Sequence, residues 1–414
     1  MNSLTPKAIM ASCRSRPGLY IHVPFCSSLC PFCPYNKVLY QKELAQRYFV
    51  ALTQELEAYL AHIEGAFSSV YIGGGTPTLC LDELAACLER IPVRGERAIE
   101  VLPTHADKAT IVKLHALGIT HVSLGIQSFD AEMLRYLRRP NSVADNIRAL
   151  ENMAGQFACV DVDLIFDVAF QDSGVFLHDV ETCLRSGVDQ ISTYPLMRFG
   201  YTPFGKAAHR PAKEHEVLRA VQALAESYGY ERRSVWTFNR QASPTYSSIT
   251  REHYIGIGAG SATYTGRYFL LNPFSVKQYI VEAETGQLPL ARSIRLGELK
   301  AAVYALFWQA YTGSIDSARF EELYPAAPLL RWLLRAGARA GWLTIEGNTA
   351  RLTPAGYDRY HDLERWVTYH FIEPLWAEMH SEAAEPGTAQ DARNNWCRRL
   401  WLYLIGVRNA SRRC

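Results

Sequence analysis

Between Tyr20 and Tyr194, short apolar runs and amphipathic stretches alternate six times, and no other feature of the 414-residue chain limits its fold as strongly. The runs at 20–23, 69–72, 98–102, 121–126, 159–166 and 188–194 read as strands. From Gln41 to Gly65, Leu44, Tyr48, Leu52, Leu56, Tyr59 and Ile63 recur every three or four residues, which is the period of a helix, and Gly65 supplies its stop. Further helices are expected at Leu81–Arg90, at Asp107–Leu117 closed by Gly118, from Ala131, from Ser142 and at Val175–Arg185. Strands that alternate with helices predict an α/β fold, a parallel sheet wrapped by helices. A closed barrel of this kind takes eight units, so six predict an open, partial barrel.

Composition narrows the class. A 48% hydrophobic and 20% charged chain is long enough for one large core and a satellite domain, and it fits neither a membrane nor a disordered class. No stretch is long and apolar enough to span a bilayer. A formal charge of +2 makes no basic field, so no nucleic-acid partner is expected. The ten cysteines are thinly spread and the N-terminus lacks signal-peptide character, which points to the reducing cytoplasm. Cys80, Cys87, Cys159 and Cys183 lie in apolar or helical patterns and read as core residues, whereas Cys13, Cys397 and Cys414 read as incidental thiols.

Cys26, Cys30 and Cys33 differ from these. They follow the first apolar run within Tyr20-Ile-His-Val-Pro-Phe-Cys-Ser-Ser-Leu-Cys-Pro-Phe-Cys, at a spacing that suits a loop rather than a helix face. Thiolates bind zinc or iron-sulfur clusters. A structural zinc site wants four protein ligands, whereas three cysteines can hold a [4Fe-4S] cube with one iron left open. Further on, Gly73-Gly74-Gly75-Thr76-Pro77-Thr78 ends the second strand, where α/β folds place ligands and glycines let backbone approach them.

The cysteine run resembles the cluster loop of the radical S-adenosylmethionine (SAM) superfamily, and its opening resembles the coproporphyrinogen dehydrogenase-like branch. The glycine turn resembles that superfamily's GGE-like motif. Matches continue through Glu100, Gln127, Arg139 and Asp163, then Asp189–Leu196 and Tyr254–Ala262, covering most of residues 18–285. The resemblance implies a partial (β/α)6 barrel in which SAM chelates the open iron and is cleaved to a 5′-deoxyadenosyl radical. By the same resemblance, Tyr20 and Phe32 pack on adenine, Gly73, Gly74, Gly75 and Thr76 grip the amino acid moiety, and Glu100 holds the amino group. Gln127, Arg139 and Asp163 meet ribose or carboxylate. The Gly256-x-Gly258-x-Gly260 run is not followed by a convincing helix, so it is not read as a dinucleotide site.

After Pro289 a helical run at Gly297–Tyr311, another at Arg331–Ala340, and two short strands about Gly347-Asn348 have the layout of a winged helix. The same layout resembles the C-terminal domain that caps the active site in this branch, and without a basic stripe the resemblance implies a lid rather than a DNA-binding part. The expected organisation is a leader at 1–19, the barrel with its branch extension at 20–285, a helical, winged-helix-like lid domain at 286–380, and a linker with a basic, aromatic tail at 381–414.

Departures from the branch guide the choice of reaction. Tyr35 stands where coproporphyrinogen dehydrogenases carry another cysteine, and Ser247–Tyr254 lacks the His-Asn-x-x-Tyr-Trp pattern of the haem chaperones. The expectation is therefore transfer of a methyl or methylene group to an sp2 carbon of a conjugated small molecule. The resemblance then implies two bound SAM molecules, with Tyr35, Asn36 and Lys37 beside the second site and Tyr35 and Lys37 as the catalytic candidates. The alternatives are porphyrin chemistry, either haem ring opening or coproporphyrinogen decarboxylation, and a non-catalytic haem carrier. Expected partners are a small-molecule substrate and an external electron donor such as flavodoxin or ferredoxin, acting on a monomer.

Overall fold

A computed structural model describes residues 4–168, 171–206, 213–247, 251–325 and 329–384. The six expected strands are β1 (Gly18–Val23), β2 (Val70–Gly74), β3 (Arg97–Val101), β4 (His121–Gln127), β5 (Cys159–Phe166) and β6 (Gln190–Pro195). They pair in chain order, all parallel. The connections carry helices Lys42–Leu60, Leu81–Leu88, Lys108–Ala116, Ala131–Tyr136 with Val143–Met153, and Ser173–Ser186. Local chemistry sets their ends: the Asp107 carboxylate accepts from Thr110 N at 2.7 Å, Ser142 and Asp145 form a capping box, and Gly187 closes its helix in the left-handed conformation.

The barrel is open, as six units predict, because β1 and β6 each pair with another strand. Tyr254–Ile257 adds parallel to β1 and leads into antiparallel Ala262–Tyr264, Tyr268–Leu271 and Arg292–Arg295, while Thr237–Arg240 and Tyr230–Arg232 extend the β6 edge. The strand Arg292–Arg295 lies past residue 285, where the sequence places the end of the barrel. Strand periodicity divides the two faces of this sheet. Leu19, Ile21, Val70, Ile72, Ile99, Val122, Leu124, Val160, Val162 and Ile191 face the helices and build the main core. Alternate positions carry the opposite chemistry. His22 pairs with Gly73, Glu100 with Ser123, Ser123 with Asp161, and Asp163 with Ser192, so one polar row runs across the inner face.

The C-terminal part begins with Glu298–Tyr311 and includes the expected hairpin Leu343–Glu346 and Thr349–Leu352, to which Ser314–Asp316 adds a third strand. Ala301, Ile315, Phe320, Leu323, Leu334 and Ala350 form its own small core. Helix Pro354–Val367, a π-turn at Thr368–Ile372 and helix Glu373–Ala384 then return over the open end of the barrel. The stretch expected to be a linker is thus still helical through Ala384, and the rest of the tail, with Cys397 and Cys414, lies outside the described residues. Cys80, Cys87, Cys159 and Cys183 are free and buried, as their apolar context predicts. Among the described residues, no helix is long and apolar enough to cross a membrane.

Candidate active site

β1 runs directly into the cysteine loop. Phe25–Cys26 pairs with Val38–Leu39, so the two ends of the loop are clamped side by side. His22 supports the loop from beneath. Its Nε2 lies 2.9 Å from the Asn36 carbonyl and its Nδ1 lies 2.8 Å from the Tyr20 hydroxyl. A carbonyl can only accept, so Nε2 carries the proton and Nδ1 accepts from Tyr20. Burial pushes the imidazole down to about 4, which keeps this single tautomer neutral. Tyr48 ties the same corner to the far edge of the sheet: its hydroxyl donates to His22 O at 2.7 Å and accepts from Ala259 N at 3.0 Å. The Gly-x-Gly-x-Gly run is therefore a brace under the loop, and an antiparallel strand, not a helix, follows it.

The Gly73–Thr76 turn packs against this loop. Gly75 N donates to Val23 O and Thr76 N to Phe25 O, both at 2.7 Å. A Cβ on Gly75 would stand 2.6 Å from Phe25 O, and one on Gly74, whose φ is +114°, would stand 2.7 Å from the His22 ring. Glycine is required here by the protein's own backbone. The Gly74 amide donates to Glu100 Oε2 at 3.1 Å, and the other Glu100 oxygen accepts from Tyr71 at 2.7 Å, which in turn accepts from Tyr246 at 2.7 Å. Burial raises the Glu100 carboxyl, and a Cβ on Gly73 would meet Glu100 Oε1 at 2.7 Å. No cation pairs with Glu100 among the described ion pairs.

Arg139 reaches in from the turn after helix Ala131–Tyr136. Its Nη2 donates to Gly125 O at 2.6 Å, its Nε to Asn141 Oδ1 at 3.2 Å, and its Nη1 approaches Cys30 Sγ at 3.5 Å. Gln127 sits beside it where the register between β4 and β5 slips, with a φ of +72° that a non-glycine residue adopts only under constraint. Asp163 accepts from Ser123 at 2.7 Å, while Asp161 accepts from Ser192 at 2.9 Å. Burial, and then the neighbouring Asp161 charge, raise Asp163 well above the usual carboxylate range. Glu100, Gln127, Arg139 and Asp163 thus share the inner face near the cysteine loop, although they lie far apart in the chain.

Tyr20 and Phe32 are not brought together. Tyr20 packs with Tyr71, Ala98, Cys159 and Tyr246 deep in the barrel, whereas Phe32 packs with Met133, Leu137, Ile165 and Phe204 near its mouth. Tyr35 exposes 52% of its surface, and the protein packed around its hydroxyl raises the phenol. The Trp376 ring lies 5.7 Å from it and stacks on Phe199 at 6.0 Å. Tyr201 and His380 both meet the Pro34 carbonyl at 3.3 Å. Lys37, a catalytic candidate from the sequence, has its ammonium donating to Cys33 O at 2.6 Å, which braces the cysteine loop. Sequence reasoning missed His22, Tyr48 and Trp376. The alternation from Tyr20 carried a signal for His22, whereas Trp376 gave none.

The donor set fits an iron-sulfur cube. Three thiols lie on one short loop, and burial pushes Cys26 up to about 11 and also raises Cys33. Thiolates there need the positive charge that cluster iron brings when bound. Arg139 at Cys30 and the Thr76 hydroxyl at Cys26 supply donors to two of the sulfurs. Among the described residues no three Cys, His, Asp or Glu side chains gather round a single-ion site, whereas a cube takes one thiolate at each of three separate irons.

Comparison with known proteins agrees with this geometry. Residues 20–167 match the model of the radical SAM superfamily, and a radical SAM domain implies a [4Fe-4S] cluster and SAM. The relatives and the solved structure that the chain is similar to include coproporphyrinogen oxidase-type proteins. It is 27% identical to heme chaperone HemW of Bacillus subtilis over 281 residues, 63% of this chain and 74% of that one. It is 24% identical to anaerobilin synthase of Escherichia coli O157:H7 over 363 residues, 82% of this chain and 80% of that one. Its fold is shared with coproporphyrinogen III oxidase HemN of Escherichia coli, with a TM-score of 0.72 at 21% identity, covering 88% of this chain and 93% of that one.

Proposed function

We propose that the protein is a radical SAM enzyme acting on a tetrapyrrole, with opening of the haem ring as its reaction. One observation carries this reading: the likeness to anaerobilin synthase spans 363 residues, more than the barrel holds, and so reaches into the lid over the chamber. Likeness confined to the barrel would speak only for the shared radical chemistry. The relatives favour this reading over methyl transfer, which was the expectation from Tyr35 and the missing haem-carrier pattern. Part of that pattern's counterpart, residues 248–250, lies outside the described residues. His253 is buried and accepts from Ser15 N at 3.2 Å, as a core histidine does.

When bound, the cluster supplies the electron that cleaves SAM. The chain's own residues hold the cofactor in place. Glu100, half-buried without a cation among the described ion pairs and fixed by Tyr71 and Gly74, is placed to take the ammonium of SAM, which would offset the cost of its desolvation. The Arg139 guanidinium beside Cys30 suits the carboxylate, and Asp163 with Gln127 suits the ribose hydroxyls. Tyr35 and Trp376 close the chamber on the lid side and offer aromatic faces to a flat macrocycle. One SAM suffices for this reading, with an external one-electron donor such as flavodoxin or ferredoxin. The test is anaerobic incubation of reconstituted protein with SAM, reductant and haem, with coproporphyrinogen III in a parallel arm. The expected result is loss of the haem Soret band with formation of 5′-deoxyadenosine and a linear tetrapyrrole. Cleavage of SAM with both tetrapyrroles intact would overturn the proposal, and tight haem binding without turnover would return the carrier reading.

A further inference from the structure

At the end of the barrel opposite the cysteine loop, Arg14, Arg267, Arg295 and Glu298, with Gly266 and Gly297, line a cleft of about 410 Å³. Its place follows from His253. A Cβ on Gly266 would stand 2.7 Å from His253 Nε2, and His253 O accepts from Gly18 N at 2.9 Å, where β1 begins. The cysteine loop leaves the other end of β1, after Val23, so the six residues of that strand, roughly 20 Å, separate the two.

Three guanidinium groups share this cleft with one carboxylate. Arg14 is partly engaged, since it donates to Leu323 O and lies 3.8 Å from Glu298. Arg267 and Arg295 are exposed, and neither has an ion-pair partner among the described residues. A helix adds to the same sign. Glu298–Tyr311 starts here and Gly297 caps it without a side chain, so the positive end of the helix dipole and the free first-turn amides open among the arginines. Behind the Gly266 wall, Ser15 N donates to His253 Nδ1 at 3.2 Å, so the neutral ring carries its proton on Nε2. That N–H has no acceptor, and only 1% of His253 is exposed. A lone exposed arginine is an ordinary solvated charge. Three of them gathered at a helix N-terminus, with an orphan donor behind the wall, repel one another at a cost that a bound anion removes.

We propose that this cleft binds a multivalent oxyanion of the di- or triphosphate class, with Arg267 and Arg295 gripping phosphoryl oxygens and Arg14 and the helix N-terminus completing the cradle. Its volume lies within the range of small-ligand pockets, about 300–1,000 Å³. The test is calorimetric titration of the cluster-loaded full chain, saturated with SAM, with inorganic pyrophosphate, ATP and adenosine in separate arms at low ionic strength. Pyrophosphate and ATP should bind, more weakly as salt is raised, and adenosine should not. Replacing both residues, Arg267→Ala with Arg295→Ala, should weaken binding at least about tenfold, and the paired Lys substitutions, which keep the charge, should lose less. Arg335→Ala, at an exposed arginine outside the cleft, should match the wild type. Tighter binding of ATP than of pyrophosphate supports a nucleotide as the occupant, and equal affinity supports the free oxyanion. Absence of saturable binding of either by the wild type, or unchanged affinity in the double Ala variant, overturns the proposal.

Discussion

His22 shows how much a single buried side chain decides. It joins Tyr20, Asn36 and, through its carbonyl, Tyr48 at the base of the cysteine loop. Its folded-state value of about 4 lies below the ordinary 6.5, so the unfolded chain binds the extra proton first. The His22 contribution is therefore complete above pH 6.5 and is lost as pH falls toward 4, by up to about 3 kcal/mol. His253 and His361 are also pushed down to about 4, so the contrast with a non-titrating variant isolates this residue. Urea unfolding of iron-free His22→Gln should show a flatter pH dependence between 6.5 and 4 than the wild type; parallel curves would remove His22 from this role. Cys26, Cys30 and Cys33 permit a simpler test, since replacing any one with Ala should abolish SAM cleavage and reduce iron content. A triple variant retaining full iron would refute the cluster assignment. Gly75 is the least tolerant position of the turn. A Cβ there strikes the Phe25 backbone, so Gly75→Ala should cost roughly 2 kcal/mol and lower iron content together with SAM affinity. Normal iron with weak SAM binding would mean the turn serves the ligand alone.

At the scale of elements, the helix Glu373–Ala384 matters most to the chamber. Trp376 and His380 reach the cysteine loop, and Glu373 accepts from Gly200 N, so this helix holds the loop and the segment after β6 together. The π-turn before it re-aims the face so that the Tyr369 hydroxyl meets Arg198 N at 3.0 Å. Trp376→Ala should lose about 2–3 kcal/mol of packing and speed amide exchange across residues 26–36, with little change in β2 to β4. Unchanged exchange in the loop would show that the lid rests on the barrel without restraining it.

Across the whole molecule, one network crosses the open barrel's edge. Glu55 on the first long helix accepts from Gly258 N at 2.9 Å, Asn272 Nδ2 at 2.8 Å and the Tyr279 hydroxyl at 2.6 Å, while Tyr48, two turns earlier on the same face, holds Ala259. The late strands are thereby fastened to the first helix and, through His22, to the cysteine loop. Tyr48→Phe leaves the His22 carbonyl and the Ala259 amide without their partner, at a cost of about 1–3 kcal/mol. Thermal melting and iron retention should fall together. A drop in Tm with full iron retention would uncouple the sheet edge from the loop.

What the sequence determined by itself is whatever depends on period and spacing. Six alternations of strand and helix specify the parallel sheet, its openness and its order, and the period of two that buries Leu19 and Ile21 also turns Tyr20 and His22 inward. The three cysteines were legible for the same reason, since a short loop keeps its ligands together wherever the chain goes. Tertiary structure alone decided the rest. Glycines read as room for a ligand are spaced by the protein's own Phe25 backbone, and Lys37, read as a catalytic candidate beside a second substrate site, donates to the Cys33 carbonyl. No local pattern could place Trp376 beside Tyr35, because contacts across hundreds of residues are set by how the lid helices dock, not by any period within them.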